Sequence, residues 1–479
     1  MRAPFFRSCF LALSLGFICP SQAQIFDPIA SNIPANEVSF YVQAVNQATP
    51  LLSINAERAQ NPGSTIKLVT SYAALRQLGA RFQWRTELFS QGLPDADGVL
   101  NQPIYLKGSG DPQLVIEKIE GLFAALRGAG VQKVNAPILI DRSAFSIAPE
   151  SPASFDGAPD MPYNAQPDAA LMNYRTIRLE LNPSAQTINV TPNVRNYQVD
   201  SAVEWQNATC PAQGWKNTLA VAPNPTNVRV SGRYYRGCGA QQIHVHTHLI
   251  DANQHAAGVL GAAMQASQVA VAPQNERNDG WGGLLTNPLP QVQDARTPKS
   301  AKPLAYVLSN PLKDVLKDMN YFSNNVMARQ IYLTLSKERD GVGSIEASSQ
   351  VVSAEMAKLG LKMDTLQMGN GSGLARDTAI SAAQLGQLLA KAANEPALYE
   401  SLPIIGVSGT VQNRLKNTDM VGRGHIKTGS LSDVRAIAGY IDGKSGTRYA
   451  VVSIIQGASA QSEAGKKLHD AFMQWVGAQ

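Results

Sequence analysis

The chain has 479 residues, 44% of them apolar and 16% charged, with a formal charge of +5. That composition suits two or three folded domains with a large core and excludes a disordered chain. The charge is mild and no dense Lys/Arg run occurs, so no nucleic-acid partner is expected.

Residues 1–23 read as an export signal. Arg2 and Arg7 give a charged start, Phe10 to Ile18 is a short apolar run, and Ser21-Gln22-Ala23 offers small residues for cleavage before Gln24. The apolar run is about half of the ~20 residues that span a bilayer, so cleavage is expected rather than anchoring. Loss of Arg2 and Arg7 lowers the net charge to +3. Cys9 and Cys19 leave with the signal, and Cys210 and Cys238 remain. Two cysteines in an exported chain predict one disulfide.

Val38-Ser39-Phe40-Tyr41-Val42 predicts a strand. Pro62-Gly63 then punctuates, and a helix is expected from about Ser64 to Leu78, stopped by Gly79. From about Phe82 the texture turns to short strands and turns around one helix, Leu114 to Arg127. Gly108-Ser109-Gly110-Asp111-Pro112 is a turn, and no P-loop lysine follows it. Residues 166–250 are rich in strands and turns, and residues 272–303 read as a linker. Helical periodicity returns at Leu312–Met319, Asn324–Leu335, 345–360 and 380–393. Val434–Ala438 and Tyr449–Ile455 predict strands. The last segment, Ser462 to Val476, is amphipathic through Leu468, Phe472 and Trp475, and suits a helix packed on a sheet or, alternatively, on a membrane surface. No later stretch is apolar and long enough to span a bilayer, so any membrane association is at most peripheral.

Three short strings carry chemistry. In Ser64-Thr65-Ile66-Lys67 the first and last residues share a helix face. Lys67 can then activate Ser64 as a nucleophile if the amine is neutral. Bringing its pKa from about 10.4 to near neutrality costs about 4 kcal/mol, which burial and a second cation, Lys427, would impose. The plainer reading of Ser64 is a helix cap after Pro-Gly. Ser323-Asn324-Asn325 offers a second hydroxyl to carry a proton and an amide to hold a substrate amide; a cap is again the plainer reading. The same S-x-N pattern occurs at Ser53-Ile54-Asn55, on a strand and ahead of Ser64. Lys427-Thr428-Gly429-Ser430 reads as the start of a strand whose edge can pair with an extended peptide. Lys427, Thr428 and Ser430 can bind a carboxylate, the Ser430 N–H can be an oxyanion donor, and Gly429 removes an obstructing side chain.

His244-Val245-His246-Thr247-His248 alternates, which puts three imidazoles on one strand face. Two of them could hold Zn²⁺, and a solvated strand face is the simpler reading. No metal and no cofactor is expected, and no Ser-His-Asp arrangement suggests itself.

The order S-x-x-K, S-x-N, K-T-G matches that of penicillin-binding proteins and class A β-lactamases. With Gly108–Pro112, Asp141-Arg142-Ser143-Ala144-Phe145, Gly369-Asn370-Gly371-Ser372-Gly373-Leu374, Gly406-Val407-Ser408-Gly409-Thr410 and Ala438-Gly439-Tyr440, the chain resembles the low-molecular-mass penicillin-binding proteins of the serine D-alanyl-D-alanine carboxypeptidase/endopeptidase family with a large insertion. The resemblance covers nearly the whole mature chain. It implies a mixed α/β (α+β) catalytic domain, an antiparallel sheet flanked by helices, in residues 24–85 and 300–479. Mostly-β inserts would follow the first motif, at 86–165 and at 166–299 with a linker. It implies action in the periplasm on peptidoglycan stem peptides through an acyl-serine, with β-lactams as inhibitors. Ser64 would be acylated, Lys67 the base and Ser323 a proton relay; Asn325, Lys427, Thr428, Gly429 and Ser430 would bind substrate. Two residues depart from the family pattern: Asn324 stands where Asp is frequent, and Phe155 where Trp is expected. A β-lactamase or related serine esterase, or a silent peptidoglycan-binding protein, are the alternatives.

Overall fold

The C-terminal run Arg448–Gln456 is apolar at almost every position because both faces of its sheet are covered. In this computed structural model, which describes residues 32–192, 198–272 and 289–479, it is the central strand of a five-stranded antiparallel sheet. The order is Gly424–Leu431, Val434–Asp442, Arg448–Gln456, Val38–Ala44 and Leu52–Ile54. Side-chain alternation divides the core. Phe40, Val42, Val451 and Ile455 face the C-terminal helix Glu463–Ala478 through Leu468, Phe472 and Val476. Tyr41, Val452 and Ile454 face the opposite side, where helices Lys67–Leu78, Asn325–Asp340 and Ala382–Ala392 pack. The amphipathic C-terminal segment is thus a sheet-packing helix, with the Phe40 and Phe472 rings 5.0 Å apart. Among the described residues no helix is long and apolar enough to cross a membrane. The export signal predicted at 1–23 lies outside the described residues, as does 273–288 of the predicted linker.

Between Leu78 and Leu312 the chain builds other sheets. A five-stranded one runs Val292–Asp294, Ile138–Asp141, Ile104–Lys107, Arg85–Ser90 and Lys302–Leu308. Strand Lys302–Leu308 therefore leaves the C-terminal part at 300 and pairs antiparallel with Arg85–Ser90, which puts the junction near Ser309. One apolar cluster, from Leu88 through Phe123, Val230 and Leu260 to Ala305, serves this whole stretch. The segments 86–165 and 166–299 thus share a core through helices Ile116–Gly128 and Ala252–Ala266. The first of these starts two residues later than the periodicity predicted, because Val115 is extended, at φ −85° and ψ 167°, and forms the N-cap.

Three three-stranded sheets complete the insert among the described residues, and in one of them Gln198–Gln206 runs parallel to Asn227–Tyr235. Just beyond the ends of that pair, Cys210 and Cys238 form the predicted disulfide. Replacing both with serine is expected to lower stability by about 3–4 kcal/mol, as for other closed loops of this size. A urea titration would show it, while penicillin acylation should stay at the parent rate; an unchanged midpoint would mean the bond ties nothing down. The histidine alternation is cut short: the strand Gln241–His246 ends at its second histidine. His246 is buried against the Pro159 carbonyl, 2.9 Å from Nδ1, while His248 lies beyond the strand, 3.4 Å from Asp160. The His246 and His248 rings still lie 5.6 Å apart, yet among the described residues no group of three His, Cys, Asp or Glu is placed to hold a metal.

Candidate active site

Ser64 enters on a tight turn. Asn61 Oδ1 accepts the Gly63 N–H at 2.9 Å, Gly63 sits at φ +52°, and a 3-10 turn over Gly63–Ile66 leads into helix Lys67–Leu78. Ser64 caps nothing. The local hydroxyl bond is made by Thr65, whose Oγ1 donates to the Pro62 carbonyl at 2.8 Å. The Ser64 hydroxyl is left to Lys67, whose Nζ is 2.9 Å from its Oγ.

Lys67 is fully buried. Its Nζ also donates to Asn325 Oδ1 at 2.5 Å and to the Ser372 carbonyl at 2.6 Å. None of these partners is a carboxylate, so nothing compensates a buried ammonium. A neutral amine fits better: its two N–H groups serve Asn325 and Ser372, and its lone pair accepts from the Ser64 hydroxyl. Burial, and then repulsion from Lys427, holds the Lys67 pKa well below its usual range.

Asn324 explains its own identity. It is the N-cap of helix Asn325–Asp340, its Oδ1 accepting the Met327 N–H at 3.0 Å, a task Asn and Asp do equally well. The cap expected in this motif is thus the middle residue, and the two outer side chains are free for other work. Ser323 is held at φ +55° with its Oγ accepting from Lys427 Nζ at 2.7 Å.

Lys427 lies in mid-strand rather than at the strand's start, because Gly424–Leu431 begins three residues earlier. Those first residues are covered: Ile405 N–H donates to the Gly424 carbonyl and Ile426 N–H to the Pro403 carbonyl. Beyond Ile426 this sheet-edge strand lies against the Ser64 turn. A Cβ on Gly429 would be 2.6 Å from the Pro62 carbonyl oxygen and 2.9 Å from the Ser64 nitrogen. Gly429 thus lets two backbones meet, in addition to clearing the approach. Lys427 is also fully buried, and burial pushes its pKa down to about 7. Thr428 Oγ1 is 2.9 Å from Thr410 Oγ1, and Ser430 Oγ accepts from Gln461 Nε2 at 3.1 Å. The second copy of the S-x-N pattern, at Ser53, sits on the strand at the opposite edge of the sheet.

All eight predicted site residues therefore converge, from a turn, a helix start and a sheet edge. Three contributors had no assigned role from the sequence: the Ser372 carbonyl, Thr410 and Gln461. Ser372 and Thr410 lie in glycine-rich strings whose density was the available signal; a backbone carbonyl has no side-chain signature. The Ser372 loop is tied by Asn370, which accepts from Ser372 Oγ at 2.8 Å and donates to the Leu374 carbonyl at 3.0 Å. Gly373, at φ +82°, lies so close to the Ser64 turn that a Cβ would stand 2.2 Å from the Gly63 oxygen. Gly373→Ala is expected to displace Ser64 and slow acylation by about 100-fold, since misplacements near 1 Å cost that much. Stopped-flow acylation by a chromogenic β-lactam would check it. Phe155 sits under the Arg376 guanidinium, 4.5 Å from its ring centre, just past this loop.

The model of the D-Ala-D-Ala carboxypeptidase 3 (S13) family matches residues 22–479. A D-alanyl-D-alanine carboxypeptidase of an Actinomadura species is 29% identical over 405 residues, 80% of this chain and 71% of the relative. The D-alanyl-D-alanine carboxypeptidase DacB of Haemophilus influenzae is 26% identical over 461 residues, 93% and 91% of the two chains. The crystal structure of penicillin binding protein 4 (dacB) from Haemophilus influenzae shares the fold with a TM-score of 0.75 at 22% identity, covering 95% of this chain and all of that one. A complex of that protein with a β-lactam has a TM-score of 0.70 at 22% identity, covering 94% and 99%.

Proposed function

The chain belongs to the D-Ala-D-Ala carboxypeptidase 3 (S13) family, and from that premise we propose that Ser64 is the residue acylated, with Lys67 as its base. The protein is a serine-type D-alanyl-D-alanine carboxypeptidase/endopeptidase acting on peptidoglycan, inhibited by β-lactams. Its substrate places its work in the periplasm, and export by cleavage after Ala23 is the route we propose.

The observation that carries the assignment is the buried Lys67 amine, 2.9 Å from Ser64 Oγ and without a carboxylate partner. In the neutral amine the lone pair takes the Ser64 proton as Oγ attacks the carbonyl of the penultimate D-Ala. The oxyanion that forms is met by the backbone N–H groups of Ser64 and Ser430. Ser323, hydrogen-bonded to Lys427, relays the proton taken up by Lys67 to the departing amine, so that D-Ala leaves and Lys67 is again neutral to deprotonate the water of the next step. Asn325 gives its carbonyl oxygen to Lys67, so its NH₂ remains to hold the substrate's backbone carbonyl. Lys427, Thr428 and Ser430 bind the terminal carboxylate, and the open strand edge past Ile426 pairs with the peptide. Water then hydrolyses the ester.

The test is intact mass after incubation with a penicillin, alongside release of D-Ala from a peptide ending in D-Ala–D-Ala. A stable adduct on the Ser64 peptide together with D-Ala release is expected. Penicillin consumed without adduct would make the protein a β-lactamase, and neither reaction would make it a binding protein.

A further inference from the structure

Away from Ser64, a cleft of about 500 Å³ opens where the insert meets the catalytic domain. That is the size of a small-ligand site. One wall is the end of helix Asn325–Asp340, through Lys337, and Val342 just past its cap; the other is the insert, through Lys107, Ser109 and Asp141, with Arg296 alongside. The seam below is closed by backbone: Ser146 N–H donates to the Gly343 carbonyl and Gly343 N–H to the Ala144 carbonyl, each at 2.8 Å.

The polar groups here are unevenly matched. The acids are already engaged. Glu87 accepts from Arg85 at 2.7 Å and Glu338 from Lys337 at 2.5 Å; Asp141 accepts from Ser143 Oγ at 2.6 Å and Thr297 N–H at 2.8 Å. Several donors are not. Among the described residues neither the Lys107 nor the Arg296 side chain has an ion pair or hydrogen bond, and the Lys107 ammonium has only the Phe89 ring, 6.0 Å away. The Ser109 hydroxyl oxygen is buried without a partner. A site with free donors and occupied acceptors selects a ligand rich in acceptors. With Asp141 keeping a negative charge in the wall, a single carboxylate on a neutral amide or sugar body fits better than a polyanion.

We propose that this cleft is a second substrate site, holding a carboxylate-bearing stretch of the peptidoglycan polymer while Ser64 attacks another stretch. The proposal rests on the reading of Ser64 above. Helix Asn325–Asp340 links the two places, with Asn325 at one end and the cleft at the other. At 1.5 Å per residue its length is about 24 Å, so only a polymeric substrate reaches both.

The test uses the full mature chain and a Lys107→Ala/Arg296→Ala variant, both changes lying at exposed positions. The probe for titration calorimetry is a soluble N-acetylmuramoyl dipeptide with a free carboxylate and no D-Ala–D-Ala end. Saturable binding is expected, weakened at least about tenfold in the variant or when the probe's carboxylate is amidated. KM for isolated cell-wall polymer should rise by a similar factor, while kcat/KM on a free tripeptide and the penicillin acylation rate stay at parent values. Equal binding by variant and parent, or an equal loss on the tripeptide, would overturn the proposal; thermal unfolding of the variant separates a folding defect from a lost contact. Should the parent neither cleave tripeptide nor accept penicillin, the Ser64 assignment falls, and the calorimetric arm still decides the cleft.

Discussion

Ser64→Ala is expected to abolish the penicillin adduct and to lower D-Ala release by at least about 10⁴-fold, the scale seen when a nucleophile is removed from an intact site. The loss should be one of chemistry alone. The Oγ takes part in no capping bond, and its recorded partner is Lys67, which keeps Asn325 and the Ser372 carbonyl. The turn is held by Asn61, Thr65 and the close backbone contacts of Gly373 and Gly429, none of which involves the hydroxyl. Reversible binding of the peptide should therefore survive in the variant. Intact mass read against a binding titration checks both halves; an adduct that persists on the alanine variant would move the nucleophile elsewhere.

Lys67→Met is expected to slow acylation by about 10²–10⁴-fold, the usual contribution of a positioned base. Lys67→Arg should be no better, because a guanidinium keeps its proton at working pH. The parent's pH dependence follows from the two lysines. As the proposed base Lys67 must be neutral, and its pKa is held well below the usual range by burial and then by Lys427. Activity therefore rises with pH as Lys67 loses its proton. As the proposed carboxylate binder Lys427 must be charged, and burial brings its pKa to about 7 in the free protein. So kcat/KM for a carboxylate substrate falls as pH rises through about 7, giving a bell. Lys427→Met removes the repulsion on Lys67, which should move the rising limb to higher pH. A rising limb that stays where it was would assign the shift to burial alone. The stability sign is separate. Between about 7 and its ordinary value near 10.5, Lys427 is protonated in the unfolded chain and neutral in the native one. Its contribution to stability therefore rises with pH across that window, and the burial cost is borne in full below it.

Much of the chemistry was legible because it is local. Ser64 and Lys67 meet through a three-residue helical spacing, and the glycine-bracketed turn before them is written in Pro62-Gly63. The apolar run in Val38–Ala44 marked a strand and the amphipathic pattern of the last helix marked its buried side, but the strand is buried on both faces and its sequence does not say which side meets that helix. Elements whose partners lie far off in sequence were harder. Strand Lys302–Leu308 joins the insert only through Arg85–Ser90, and no local pattern announces a pairing across more than two hundred residues. The shared core of the two inserted segments is likewise a sum of long-range contacts.

What the sequence by itself determined is the family's motif set, its order and the disulfide, and with them the candidate reacting groups, because residue type and short spacing decide those. What only the tertiary structure decided is their state. Lys67 and Lys427 become poor carriers of charge because a folded interior, assembled from both ends of the chain, strips them of water. The Ser372 carbonyl becomes a partner of Lys67 because a loop some three hundred residues later closes on it. The Ser64 turn and the Lys427 strand touch because Gly429 has no side chain there, and only the packed backbones show that none would fit.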